Sequence, residues 1–213
     1  MSYFNYFRYP QYLFAKAIVQ TLIRFELSEN PLTDAPSGDG VIGFWLNKKL
    51  NCKVKMLDID ERLVNICRAN MPEMDAKQGD IFTLEPKKNN EIWLFINSMY
   101  CLPKIEGLID EKRKKYAYII GIFPDIQQKN YQCFNRRNPN VNQSPLNIND
   151  TVQFFTKWGY QLEHEEGLIH IPFFCSRILN NRWVQKYLVY FDGMFKPVFE
   201  PAYKLLLFKL HQN

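Results

Sequence analysis

The chain has 213 residues, 46% of them apolar and 23% charged, values expected of a soluble globular protein with one sizeable core. Its formal net charge is +5, and six basic against two acidic residues from Ile171 onward supply +4 of it. Residues 1–170 are thus nearly neutral, which argues against a nucleic-acid binder with a broad basic face.

The longest apolar run, around Tyr116–Phe123, is broken by Gly121 and falls far below the roughly 20 residues that a membrane span needs. The opening stretch MSYFNYFRYPQYLF lacks the basic head, aliphatic middle and small-residue cleavage site of a secretory signal. Cys52, Cys67, Cys101, Cys133 and Cys175 stand singly, with no CxxC or Cys/His cluster, so no metal site is expected. An odd, dispersed set reads as reduced thiols of a cytoplasmic protein.

In chain order, the apolar spacing over Tyr9–Leu27 predicts a helix. A short strand around Leu32–Asp34 leads into DAPSGDG, residues 34–40, and Val41–Leu50 reads as the next helix. Lys53–Leu57 is a strand ended by Asp58, and Glu61–Asn70 a helix stopped at Met71–Pro72. Glu91–Ser98 and Tyr116–Phe123 are bulky, apolar buried strands, with a polar helix over Ile105–Lys115 between them. Strands alternating with helices predict a doubly wound, mostly parallel sheet with helices on both faces.

The chain reads as a single domain over 1–213, with a helical segment at 1–30, a lid at 126–149 and an aromatic, basic helical insert at 171–200. The Gln127–Asn149 part is rich in Asn and Gln with little periodicity, and loops that long are often functional. In the insert, Trp183, Tyr187, Tyr190, Phe191, Met194 and Phe195 follow helical spacing beside Arg177, Arg182, Lys186 and Lys196. Three readings stand: a core-facing stripe, which is the commonest case, a dimer face, or a peripheral contact with a membrane.

The glycines of residues 38–43 support two cofactor readings. Gly38, Gly40 and Gly43 spell G-x-G-x-x-G, with Asp58 following Gly38 by 20 residues, the pattern of a nicotinamide-dinucleotide site. Against it, the segment before the glycines is polar and carries Asp34, and the chain is short for a cofactor domain plus a substrate domain.

DAPSGDG also resembles the first motif of class I S-adenosylmethionine-dependent methyltransferases, with Asp34, Gly38 and Gly40 matching and Pro36 in place of the first glycine. VKMLDIDERLVNICRANMP is similar to that family's second strand and helix, and QGDI at 78–81 to its adenine-binding segment. EIWLFINSMYCLP resembles the fourth strand, with Glu91 where Asp is usual. Residues 149–166 resemble the late helix and sixth strand, and AYKLLLFKL the final antiparallel strand. The resemblance spans roughly 33–210. It implies a Rossmann-like fold with an antiparallel last strand and S-adenosyl-L-methionine as cofactor. A non-catalytic protein of the same fold is kept open by Pro36 and Glu91.

By that resemblance, Asp58 would accept from the cofactor's ribose hydroxyls, and Asp80, with Ile59 and Ile81, would hold the adenine. The turn at Ser37, Gly38 and Gly40 would offer N–H groups to its carboxylate, Asp34 would serve its ammonium indirectly, and Asn97 would face the active site. General-base candidates at strand ends are Tyr100 and Asp125, and more remotely His164 and His170. Arg136 and Arg137, among the amides of the lid, suit a small, hydroxyl-rich acceptor with an anionic group. No nucleic-acid partner is expected, and the oligomeric state is left open.

Overall fold

The run IWLFI at 92–96 is buried at every position, and its side chains alternate between two cores. Ile92, Leu94 and Ile96 join one cluster, Trp93 and Phe95 the other. A strand buried on both faces must sit inside a sheet covered on both sides. A computed structural model of the chain describes residues 9–50, 54–83, 85–98, 115–128, 131, 147–170, 182–197 and 200–211.

The elements run α1 (Tyr9–Arg24), β1 (Leu32–Asp34), α2 (Val41–Leu50), β2 (Val54–Asp58), α3 (Glu61–Asn70), β3 (Asp75–Gln78), β4 (Ile92–Ile96) and β5 (Tyr118–Pro124). Then come α4 (Ile148–Lys157), β6 (Tyr160–Leu168), α5 (Arg182–Phe195) and β7 (Tyr203–Leu210). The seven strands form one sheet in the order β3-β2-β1-β4-β5-β7-β6. All pairings are parallel except the two made by β7, with β5 and with β6. This is the expected doubly wound sheet with an antiparallel last strand. Its order reverses between β1 and β4, and the crevice at such a switch point is where ligands bind in this class of sheet.

One core lies under α1, α2 and α3, where Leu13, Phe14, Ile18 and Leu22 of α1 meet Val54, Met56, Leu205 and Leu207 of the sheet. The other lies under α4, where Phe154 and Phe155 meet Phe95, Phe123 and Phe208. Side chains as fully buried as Ile18, Leu22 and Phe155 each stabilise the fold by about 1.5–3 kcal/mol. The helix termini follow their sequence signals. Asp60 caps α3 by accepting from the Arg62 N–H, and Asn147 with Asp150 forms a capping box for α4.

Several sequence expectations need correction. β3 has no strong apolar alternation of its own, only Ala76 being buried, and was not predicted; it forms because β2 offers it a parallel edge. The segment read as a loop to Asn149 ends earlier, at Asn147, because the capping box starts the helix at Ile148. Most of that lid, including Arg136 and Arg137, lies outside the described residues, as do Tyr100 and most of the helix expected at Ile105–Lys115.

The helix expected in the C-terminal insert exists as α5, but four members of its stripe turn away from the core, while the Trp183 side chain lies outside the described residues. Tyr187, Tyr190 and Met194 are 62%, 81% and 68% exposed, with Phe191 also outward. The inward side carries Leu188, Phe195 and the buried Asp192 instead. Asp192 accepts from the His170 backbone N–H at 2.8 Å and lies 3.4 Å from His170 Nδ1, which fastens α5 beyond the end of β6. A buried carboxylate needs such partners.

Candidate functional site

A cavity of about 430 Å³ opens at the carboxyl ends of β1, β2 and β4. Its size is within the range of small-molecule sites. Asp34 reaches it from the end of β1, Asp58 from the end of β2, and Ile96, Asn97 and Ser98 from the end of β4. Pro36–Asp39, with Val41 and Ile42 of α2, form the wall between the first two strands. Ile59, Asp60 and Leu63 continue the wall into α3, and Gln11 and Phe14 of α1 close it from above.

The turn after β1 is held by one bond of its own and by two bonds to β2. The Ala35–Pro36 bond is cis, and Gly38 and Gly40 have φ of 56° and 77°, in the left-handed region that glycine occupies without strain. The Ser37 N–H donates to Leu57 O at 2.8 Å and the Gly40 N–H to Ser37 O at 3.1 Å. The Gly38 N–H donates to Asp58 Oδ2 at 2.7 Å. Each of these three N–H groups, read from the sequence as donors to a ligand's carboxylate, has a partner within the chain, two of them on β2.

Asp58 is 6% exposed and accepts twice, its Oδ1 taking the Asp60 N–H at 2.9 Å. Asp34 is 1% exposed, and its Oδ2 has no hydrogen-bond partner. Burial first, then the charges of Asp58 and Asp39, push its carboxyl up to about 8, and a backbone hydrogen bond with Gly43 offsets only part of this. Four carboxyl groups, those of Asp34, Asp39, Asp58 and Asp60, border the cavity, with no lysine or arginine in its lining. Among the described residues no group of His, Cys, Asp and Glu is arranged to hold a metal ion.

Of the residues read from the sequence, Asp34, Ser37, Gly38, Asp58, Ile59 and Asn97 converge on the cavity. Gly40 sits just behind the wall, where a Cβ would come 2.8 Å from Cys67 Sγ. Asp80 and Ile81 do not line it; they lie past β3, and Ile81 rests against the second core. Asp125 follows the end of β5, buried, with its Oδ2 3.8 Å from Lys204 Nζ, and it too lies outside the lining. His164 lies against Phe25 and His170 against Asp192, both away from the cavity. Glu91 sits before β4, at the opposite end of the sheet, where it accepts from Thr33 Oγ1 and from the Lys87 N–H. Its departure from the usual acid leaves the cavity untouched.

Sequence reasoning missed Asp39, Asp60, Gln11 and Phe14. The two acids had a local signal, each lying one or two residues beyond a strand-end acid or glycine. The two α1 residues had none, because they are brought to the cavity by the packing of α1 on α2 and β7, as in the Tyr12–Trp45 and Phe14–Tyr203 ring contacts.

No protein-family model matches this chain, and no curated protein matches its sequence. Solved structures match its fold. A SAM-dependent methyltransferase from Archaeoglobus fulgidus superposes with a TM-score of 0.60 at 14% identity, over 92% of this chain and 94% of the other. Magnesium protoporphyrin IX methyltransferase from Synechocystis PCC 6803, solved with bound SAH, gives 0.58 at 12% identity over 95% and 84%. The (4+2)-cyclase SpnF gives 0.61 at 10% identity over 93% and 82%. At such identities the likeness speaks for the fold alone. The chain has the Rossmann-like fold of the class I S-adenosylmethionine-dependent methyltransferases.

Proposed function

We propose that this chain binds S-adenosyl-L-methionine in the cavity and transfers its methyl group to a small polar acceptor such as a sugar or glycan precursor. The observation that carries the reading is the acidity of the wall: four carboxyl groups, among them a buried Asp34 oxygen without a partner, and no cationic side chain in the lining. Such a wall favours a ligand with net positive charge. A nicotinamide dinucleotide would instead bring an anionic pyrophosphate to a turn whose Ser37, Gly38 and Gly40 N–H groups are already donated. That weighs against the dinucleotide reading of the same glycines.

In this reading Asp58, whose oxygens keep lone pairs beyond the two N–H bonds they accept, takes the ribose hydroxyls. The exposed face of Ile59 and the side chain of Leu63 lie against the adenine. Asp34 and Gln11, each with a buried oxygen lacking a partner, accept from the ammonium. When bound, the cofactor supplies an activated methyl on a sulfonium, so the chain's remaining work is alignment and exclusion of water. Asn97 and Ser98, at the end of β4, are the polar groups placed to orient an acceptor. Asp125, Tyr100, Arg136 and Arg137 remain candidates for that acceptor side.

The first test is thermal stabilisation by S-adenosylmethionine, S-adenosylhomocysteine and NAD; a ligand at 100 times its Kd adds about 2.7 kcal/mol. Stabilisation by NAD alone would reverse the reading. The second is a transfer assay across sugar nucleotides, free sugars, RNA and protein, in which Arg136→Ala should raise KM for an anionic acceptor. Turnover on RNA or protein alone would overturn the small-molecule acceptor. Cofactor binding without turnover would point to another task on the same fold, as the cyclase neighbour illustrates.

A further inference from the structure

The outward side of α5 is an unusual surface. Tyr187, Tyr190, Phe191 and Met194 recur at helical spacing, all four exposed, and form one apolar stripe along the helix. The only acid of the helix, Asp192, is buried and turned to His170. Arg182 opens the helix, Lys186 precedes Tyr190 by one turn, and the exposed Lys196 follows one residue past the helix end. The surface therefore combines aromatic and thioether side chains with positive charge and has no exposed acid among the described residues of the helix.

We infer that α5 docks on an anionic lipid surface, lying in the interface plane with its aromatic stripe immersed and its cations against the headgroups. Three observations favour this occupant. The stripe is a ridge on a helix that already has its inward side filled by Leu188 and Phe195, so it suits a deformable interface. Tyrosine, with an apolar ring and a polar tip, is a residue that settles at the headgroup level. The charge is complementary to anionic headgroups, whereas a second copy of the chain would set this cationic surface against itself. No helix among the described residues is long and apolar enough to cross a membrane, so the contact is one of lying on the surface. α5 packs on α1, which supplies Gln11 and Phe14 to the cavity wall, so a docked α5 places the cavity one helix from the bilayer.

The inference stands apart from methyl transfer, and its test needs no cofactor. The full chain is floated with vesicles of phosphatidylcholine alone and of phosphatidylcholine mixed with phosphatidylglycerol. Flotation with the mixed vesicles, loss of it in high salt, and none with phosphatidylcholine alone are expected. Tyr190→Ser with Met194→Ser, and separately Lys186→Glu with Lys196→Glu, should each weaken binding by about tenfold or more while melting temperatures stay unchanged. Equal behaviour on the two vesicle types, or variants that float as the wild type does, would overturn the proposal. So would a concentration-dependent dimer that the Tyr190→Ser, Met194→Ser variant dissolves, which would assign the face to self-association.

Discussion

The Gly38 backbone N–H donates to Asp58 Oδ2 at 2.7 Å, tying the turn after β1 to the end of β2. One carboxylate therefore both closes the glycine turn and borders the cavity, so its removal has two separable effects. Asp58→Ala should weaken S-adenosylmethionine binding by roughly 1.5–3 kcal/mol, the worth of hydrogen bonds to a charged group. It should also lower the denaturant midpoint, because the Gly38 and Asp60 N–H groups lose their acceptor. Asp58→Asn keeps an acceptor for one of them and should lose less stability. Calorimetry giving wild-type affinity for the alanine variant would remove Asp58 from the site.

Asp34 makes stability and affinity depend on pH in opposite senses. Its carboxyl is raised from an ordinary 3.8 to about 8, chiefly by burial. Between those values the folded chain holds a proton that the unfolded chain has lost, so this group's contribution to stability falls as pH rises and levels off above about 8. Asp34→Asn should remove that slope, and urea midpoints measured from pH 5 to 8 would show it. A cationic ligand favours the ionised form, so cofactor affinity should rise with pH by up to about tenfold per unit below 8. A Kd that stays flat from pH 6 to 8 would separate Asp34 from the ligand.

The two glycines of the turn should differ in their tolerance of alanine. At Gly38 a Cβ meets nothing within 4 Å, so Gly38→Ala should cost about 1 kcal/mol for the left-handed φ alone. At Gly40 it would come 2.8 Å from Cys67 Sγ and 3.0 Å from both Met56 Sδ and Met71 Cε. Gly40→Ala adds overpacking of roughly 1–3 kcal/mol to the same backbone strain. Equal denaturation midpoints for the two variants would contradict this packing.

Gln11 provides a test of the α1 contribution. Its side-chain oxygen is buried without a partner and it lines the cavity. Gln11→Ala should leave stability nearly unchanged and weaken cofactor binding by roughly 1.5–3 kcal/mol, the worth of a hydrogen bond to a charged group. Phe14→Ala, by contrast, deletes a buried ring packed on Tyr203 and should cost about 3–5 kcal/mol of stability. Isothermal titration and chemical denaturation of both variants separate the two roles.

The amino-acid sequence by itself determined the alternation of strands and helices. Apolar runs such as those at 92–96 and 118–124, the cap at Asp60 and the glycines after Asp34 act through neighbours a few residues away. It likewise marked Asp34 and Asp58 as acids at the ends of two strands. Only the tertiary structure decided what depends on distant partners. The N–H groups of Ser37 and Gly38 are spent on β2, Gln11 and Phe14 arrive at the cavity from α1, and Asp80 and Ile81 stay outside it. The amphipathic spacing of α5 was legible, but its inward side was not. Leu188 and Phe195 pack inward, the carboxylate of Asp192 is buried with the His170 N–H, 22 residues away, as its donor, and the aromatic side chains of Tyr187, Tyr190 and Phe191 face outward.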